Sequence, residues 1–201
     1  MKRARDLNTR EDLYYYVLPR LMANGALLEF GVLAGVSIRY IARRVGARTV
    51  HGFNSFLSFP DDGVVPVGGT GAKFYVSKLT GGGALPVVPD NVVLHNGWFT
   101  EALLDFVAAL NEPVALLHID CDIYSSTRGV FIALAHHLVP GTIVVFNEYN
   151  GIYDWERQEF LAFQEFGAAN GVGYEYLSYR FDSQATMRIE KNPAATVAVP
   201  T

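Results

Sequence analysis

The chain has one cysteine, Cys121, in 201 residues, so no internal disulfide can staple it. Its opening stretch MKRARDLNTR leads into no apolar targeting segment, and a reducing cytoplasm is the expected setting. Basic residues are in deficit, 16 against 20 acidic for a net charge of -4 and a pI near 5.7. That lacks the footprint needed to hold a phosphate backbone and excludes nucleic acid as a ligand. Long hydrophobic runs are missing too: 25–38 is broken by Glu29 and 139–146 is short, against the roughly 18 residues of a membrane span. No membrane partner is expected. There is no internal repeat, and at about 150 residues per domain the 201 residues form one domain with no room for a second catalytic one.

What is present is apolar and periodic: half the residues are hydrophobic and 13% aromatic, enough for a sizeable core. An N-terminal helical segment occupies 1–25, where Asn8 and Glu11 read as a capping box and Leu13, Tyr16, Val17 and Leu21 give helical spacing. Then short apolar runs alternate with amphipathic stretches. Strands are expected at Ala26–Phe30, 48–53, 92–95, 114–120 and 142–147. Helices are expected around Ile38, Ile41 and Val45, around Leu103, Phe106 and Val107, over about 125–138, and from near Asp154. Strands apolar on both faces and separated by helices must run parallel, since only crossovers connect them. Two closing strands, 174–181 and Ala185–Lys191, lie close enough to form an antiparallel hairpin. The fold class is therefore α/β: a doubly wound, mostly parallel seven-stranded sheet with an antiparallel C-terminal hairpin. A Gly- and Pro-rich stretch over 57–91, with a short helix near 73–79, reads as a lid-like loop, and 192–201 as a loose tail.

Ligands of such sheets bind outside the carboxyl ends of the strands, where the strand order reverses. Those ends carry Glu29 to Ser37, Asn54, Asn96-Gly97-Trp98, Asp120-Cys121-Asp122 and Asn147-Glu148. The first turn reads E-x-G-x-x-x-G-x-S, wider than the G-x-G-x-x-G that sets a pyrophosphate on a helix N-terminus. A nicotinamide-dependent oxidoreductase is thereby disfavoured.

Four ordered motifs then converge. EFGVLAGVS resembles the first motif of class I S-adenosylmethionine-dependent methyltransferases, and LLHIDCDIYSST resembles the macrocin-type O-methyltransferases that methylate sugar hydroxyls of macrolide antibiotics. GFNSF and GWF follow the same family's order, and the similarity runs from about Leu28 to about Phe166. The resemblance implies that Glu29, Gly31, Gly35 and Ser37 wrap the methionine part of S-adenosylmethionine, that Asn54 holds the ribose, and that Asn96, Gly97 and Trp98 flank the adenine. It also implies a Mg²⁺ ion between Asp120, Asn147 and Glu148; adjacent strand ends about 4.8 Å apart can share one ion, and hard oxygen donors suit it. The acceptor would be a hydroxylated small molecule such as a sugar of a secondary metabolite, and the enzyme a homodimer. Asp120 would ligate the ion, hold the cofactor amine or serve as base, with Asp122 and His95 as alternative bases. The chain departs from the family at Asn54, where an aspartate is usual, at Asn147 and Glu148, where two aspartates are usual, and in a shorter N-terminal segment.

Plainer roles compete. Asp120 and Asp122 could cap the following helix, Trp98 and Cys121 could be packing residues, and His118 a hydrogen-bonded core histidine. His51, His136 and His137 read as structural or exposed, Asp61, Asp62 and Lys73 as solvated loop charges, and Tyr124 and Tyr149 as flanking the pocket mouth. The departures at Asn54 and Asn147 motivate a second reading, a degenerate member acting as a binding module.

Overall fold

The computed structural model describes residues 4–57, 83–151 and 154–196. The short helix near 73–79 and the charges Asp61, Asp62 and Lys73 lie outside them.

Eight strands form one sheet: β1 (Arg5–Asp6), β2 (Ala26–Phe30), β3 (Val50–Asn54), β4 (Val92–Asn96), β5 (Val114–Ile119), β6 (Ile143–Phe146), β7 (Gly173–Tyr179) and β8 (Ala185–Lys191). Their order is β1-β7-β8-β6-β5-β2-β3-β4. Among the described residues five α-helices accompany them: α1 (Arg10–Val17), α2 (Val36–Ala42), α3 (Phe99–Ala109), α4 (Tyr124–Leu134) and α5 (Glu159–Asn170). Strands β2 to β6 pair in parallel, while β8 runs antiparallel to both β6 and β7. The seven expected strands are present. The eighth, β1, pairs in parallel with β7 and is too short to leave a periodic signal.

Every residue of β2, β5 and β6 is buried, because helices cover both faces of the central sheet. Leu28, Phe30, Leu117, Ile119 and Phe146 pack with α4 and α5 in one core. Leu27, Leu116, Ile143 and Val145 pack with α1 and α2 in the other. Strand alternation thereby sends Glu29 to the α1 face, and its neighbour in register there is His118.

Helix α1 starts one residue later than the spacing suggested. Thr9, not Asn8, is its cap: Asp12 N donates to Thr9 Oγ1 at 3.0 Å and Thr9 N to Asp12 Oδ2 at 3.1 Å. Both registers satisfy capping chemistry, and the one adopted buries Leu13, Tyr14 and Val17. The segment from Asn192 is not loose at its root. The Asn192 amide is buried and donates to the carbonyls of Ala135 and Leu138 at 2.9 and 2.7 Å. Among the described residues no helix is long and apolar enough to cross a membrane.

Candidate active site

The chain moves outward from β2 through β3 to β4 on one side and from β5 to β6 on the other, so the order reverses between β2 and β5. The ladder runs on past the strand ends there: Gly31 N donates to Phe53 O (3.0 Å), Asp120 N to Phe30 O (2.8 Å), Asn147 N to Ile119 O (2.9 Å) and Gly97 N to Asn54 O (3.1 Å). The ends of five strands, β2 to β6, are thus locked in one row through four first loop residues. At Gly31, with φ of +97°, a Cβ would sit 1.7 Å from the Asp120 carbonyl oxygen, so only glycine permits this splice between β2 and β5.

Above the row lies a cleft of about 720 Å³, within the range of small-molecule sites. It brings together Gly31, Ser37, Asn54, Gly97, Trp98, Asp120, Asp122, Asn147 and Glu148 of the expected residues. Trp98, partly buried, lines the cleft. Four expected residues lie elsewhere. Gly35, with φ of +72°, starts α2 and faces Arg39 and Pro86, while Asn96 is exposed at the sheet edge. His95 stacks on Phe53 at 4.4 Å and hydrogen-bonds His51 at 3.0 Å; it packs against Phe106 away from the cleft, and burial, with His51 beside it, lowers its pKa. It is not placed to act as a base.

Glu29 is wholly buried beneath the cleft floor. Ser37 Oγ donates to its Oε1 at 2.7 Å, and its Oε2 lies 3.2 Å from His118 Nδ1, at an angle outside hydrogen-bond geometry. Tyr14 OH meets His118 Nε2 at 3.0 Å. With Tyr14 donating to Nε2, the ring proton sits on Nδ1 and faces Glu29. Glu29 therefore acts by holding the turn through Ser37, and His118 is a hydrogen-bonded core histidine.

Neither aspartate caps α4, whose N-cap Ile123 carries no side-chain cap; the Tyr124 N–H instead donates to Gln158 Oε1 at 3.0 Å. Asp122 takes a left-handed φ of +63°, and burial, with Glu148 next to it, pushes its pKa well up. Asp120 keeps surface open to the cleft yet sits deep in the protein. Its pKa is raised to about 7, chiefly by burial, with Glu29 and Glu148 raising it further and His118 and Arg10 opposing. The Asn147 amide donates to Asp120 Oδ1 at 2.7 Å. Cys121 is buried and its thiol pushed up by burial, a packing residue with Thr127 Oγ1 at 3.3 Å. Tyr149 does not line the cleft: it is fully buried and bonded to Tyr176 and Gln164; Tyr124 is bonded to Glu165.

Three residues escaped the sequence reading. Arg10, at the start of α1, lines the cleft. Glu159, buried in α5, accepts the N–H groups of Cys121 at 3.3 Å and Glu148 at 3.1 Å, bracing the loops after β5 and β6. Gln184 Nε2 donates to Asn147 Oδ1 at 2.8 Å. All three act across long sequence separations, where spacing carries no signal.

The donor set expected for Mg²⁺ does not fit. Asn147 turns its NH₂ toward Asp120, with its oxygen engaged by Gln184, and among the described residues no three acidic, histidine or cysteine side chains converge to hold an ion. The cofactor cleft does fit its expected occupant: a carboxamide at the end of β3 and an apolar wall of Trp98, Phe99 and Leu103 match ribose hydroxyls and an adenine face.

A family model described as a methyltransferase domain matches residues 28–149. The chain belongs to this methyltransferase family. It is an S-adenosylmethionine-dependent methyltransferase, and the solved structures agree. It is similar to CalS11, a calicheamicin methyltransferase, at 25% identity over 89% of this chain and 76% of that one, with a TM-score of 0.64. The O-methyltransferase NovP shares the fold at 21% identity, 90% and 78% coverage and a TM-score of 0.64. An O-methyltransferase from Bacillus cereus in complex with SAH does so at 16%, 94% and 84%, with a TM-score of 0.55. No curated protein sequence matches this methyltransferase.

Proposed function

We propose that this methyltransferase transfers its methyl group to a hydroxyl of a small molecule, such as a sugar of a secondary metabolite, in the cytoplasm and as a homodimer. The observation that carries the reading is the Asp120 carboxylate, open to the cleft at the strand switch point with a pKa near 7. A general base works best when its pKa lies near the working pH. The description of CalS11 as a TDP-rhamnose 3'-O-methyltransferase of calicheamicin biosynthesis supports a glycosyl hydroxyl as acceptor. The apolar rim supports a sizeable one: Val36, Leu104 and Ile132 line the cleft yet are 61%, 64% and 57% exposed.

In this reading Asn54 bonds the ribose, Trp98 and Leu103 face the adenine, and the backbone from Gly31 to Leu33 approaches the methionine part. S-adenosylmethionine, when bound, supplies an electrophilic methyl group. Asp120 takes the acceptor hydroxyl proton as the oxygen attacks, and the Asn147 amide holds the carboxylate in place. Orienting acceptor and donor in one cleft supplies much of the remaining acceleration.

Calorimetric titration with S-adenosylmethionine and S-adenosylhomocysteine tests the cofactor assignment. Micromolar binding that Asn54→Ala weakens is the expected result; no binding would leave the chain as a binding module. Sedimentation velocity reports the oligomer.

A further inference from the structure

The side chains of Arg180, Gln184, Asn147 and Asp120 form a continuous hydrogen-bonded row whose polarity is forced from one end. Arg180 Nη1 contacts Gln184 Oε1 at 3.0 Å, and a guanidinium only donates. The Gln184 oxygen must therefore accept, which leaves its NH₂ to face Asn147 Oδ1 at 2.8 Å. Asn147 Oδ1 is then an acceptor, and its NH₂ must face Asp120 Oδ1 at 2.7 Å. Amide orientation usually has to be assigned; here the arginine assigns it. Gln184 and Asn147 are 2% and 8% exposed, so the contact between them is shielded from water. The Arg180 end is anchored as well, by its backbone N–H to the Gln184 carbonyl (2.9 Å) and by Asp182 at 2.7 Å.

The consequence concerns the gap between the ends of β5 and β6, where a divalent ion would have to reach oxygens of Asp120, Asn147 and Glu148. One of those oxygens points away into the row, and an N–H occupies the place beside Asp120. We infer that Asn147 is a hydrogen-bond donor standing in place of a cation, that the enzyme is metal-independent, and that Gln184 and Arg180 are positioning residues that fix the Asn147 amide. The inference uses the methyltransferase reading of the cleft only in giving Asp120 a substrate to serve; the row itself does not depend on it.

Gln184→Glu reverses the row without changing its shape. A carboxylate at 184 pairs with Arg180 and only accepts, so Asn147 must turn its NH₂ to it and present Oδ1 to Asp120. Asn147→Asp supplies an oxygen there directly. The apoprotein is titrated with Mn²⁺, free ion being read by its electron paramagnetic resonance signal, with SAH binding measured separately in EDTA. Wild type is expected to show no saturable site in the millimolar range and EDTA-insensitive SAH binding, while both variants gain Mn²⁺ affinity by about 10–100-fold and show a raised Tm with Mn²⁺. A saturable one-to-one site in wild type that Asn147→Ala and Asp120→Asn both abolish would overturn the inference. So would variants that fold, by circular dichroism, but bind Mn²⁺ no better than wild type. If neither variant folds, the wild-type titration decides. Loss of SAH binding under every condition would sink the assignment of the cleft while leaving the Mn²⁺ result to speak for the row.

Discussion

Asp120 is a carboxyl group kept partly protonated near neutrality by burial and by Glu29 and Glu148 around it. Two consequences follow from that raised value. For catalysis, the base must be ionised, so kcat/KM is expected to rise with pH and level off above about 7. Asp120→Asn, which keeps the Asn147 contact, should lower the rate by about 10²–10⁴-fold and flatten the profile. For stability the sign is opposite. Between the ordinary 3.8 and about 7 the folded state holds a proton that the unfolded state has released, so stability falls as pH rises through that window and is level above it. Thermal melts should show Asp120→Asn gaining on wild type from pH 4 to 7; a constant difference would refute the burial argument. Beneath the cleft the Tyr14 hydroxyl serves structure alone, bonded to His118. Tyr14→Phe should cost about 1–3 kcal/mol in denaturant melts with SAH affinity unchanged. The identity of Glu29 was legible as important from E-x-G, but its direction was not: only the register with His118 shows that it faces the α1 core.

At the scale of elements, the central strands could be read because burial on both faces leaves an unbroken apolar run. Strands β2 and β8 begin and end where the pattern indicated. The helix starts were harder, since Asn8 and Thr9 offer competing caps and tertiary packing of Tyr14 chooses between them. Strand β1 has two residues, fewer than any periodicity requires. The turn after β2 was legible as a glycine turn, yet its purpose is the approach of two backbones. Gly31→Ala combines a left-handed φ with a Cβ driven into the Asp120 carbonyl. Strain and overpacking together should cost about 3 kcal/mol or more, and because the clash lies at the cleft floor, SAH binding should fall even below the melting temperature. Retained affinity in a folded Gly31→Ala protein would show that β2 and β5 can part without harm to the cleft.

On the scale of the whole molecule, alternation of strand and helix was enough to predict a doubly wound sheet, because parallel neighbours demand crossovers. What alternation cannot reveal is which distant side chains meet over the strand ends. Gln184 reaches Asn147 from the β7–β8 turn, Glu159 reaches two loops from α5, and Arg10 enters the cleft from α1, ahead of the first central strand. Each contact is made by the assembled fold rather than by local spacing. Arg10 shows how such a contact tunes the site, since it lies in the same cleft as Asp120 and its positive charge opposes the burial that raises the Asp120 pKa. Removing that charge leaves burial, Glu29 and Glu148 less opposed, so in Arg10→Ala the acidic limb of the kcat/KM profile should move to higher pH, while Arg10→Lys should hold it in place. The partly exposed side chain at the first turn of α1 carries little of the fold, and stability should change by no more than about 0.5 kcal/mol. A limb that stays fixed in Arg10→Ala would mean that solvent in the cleft screens the pair, and that the charge serves the acceptor rather than the base.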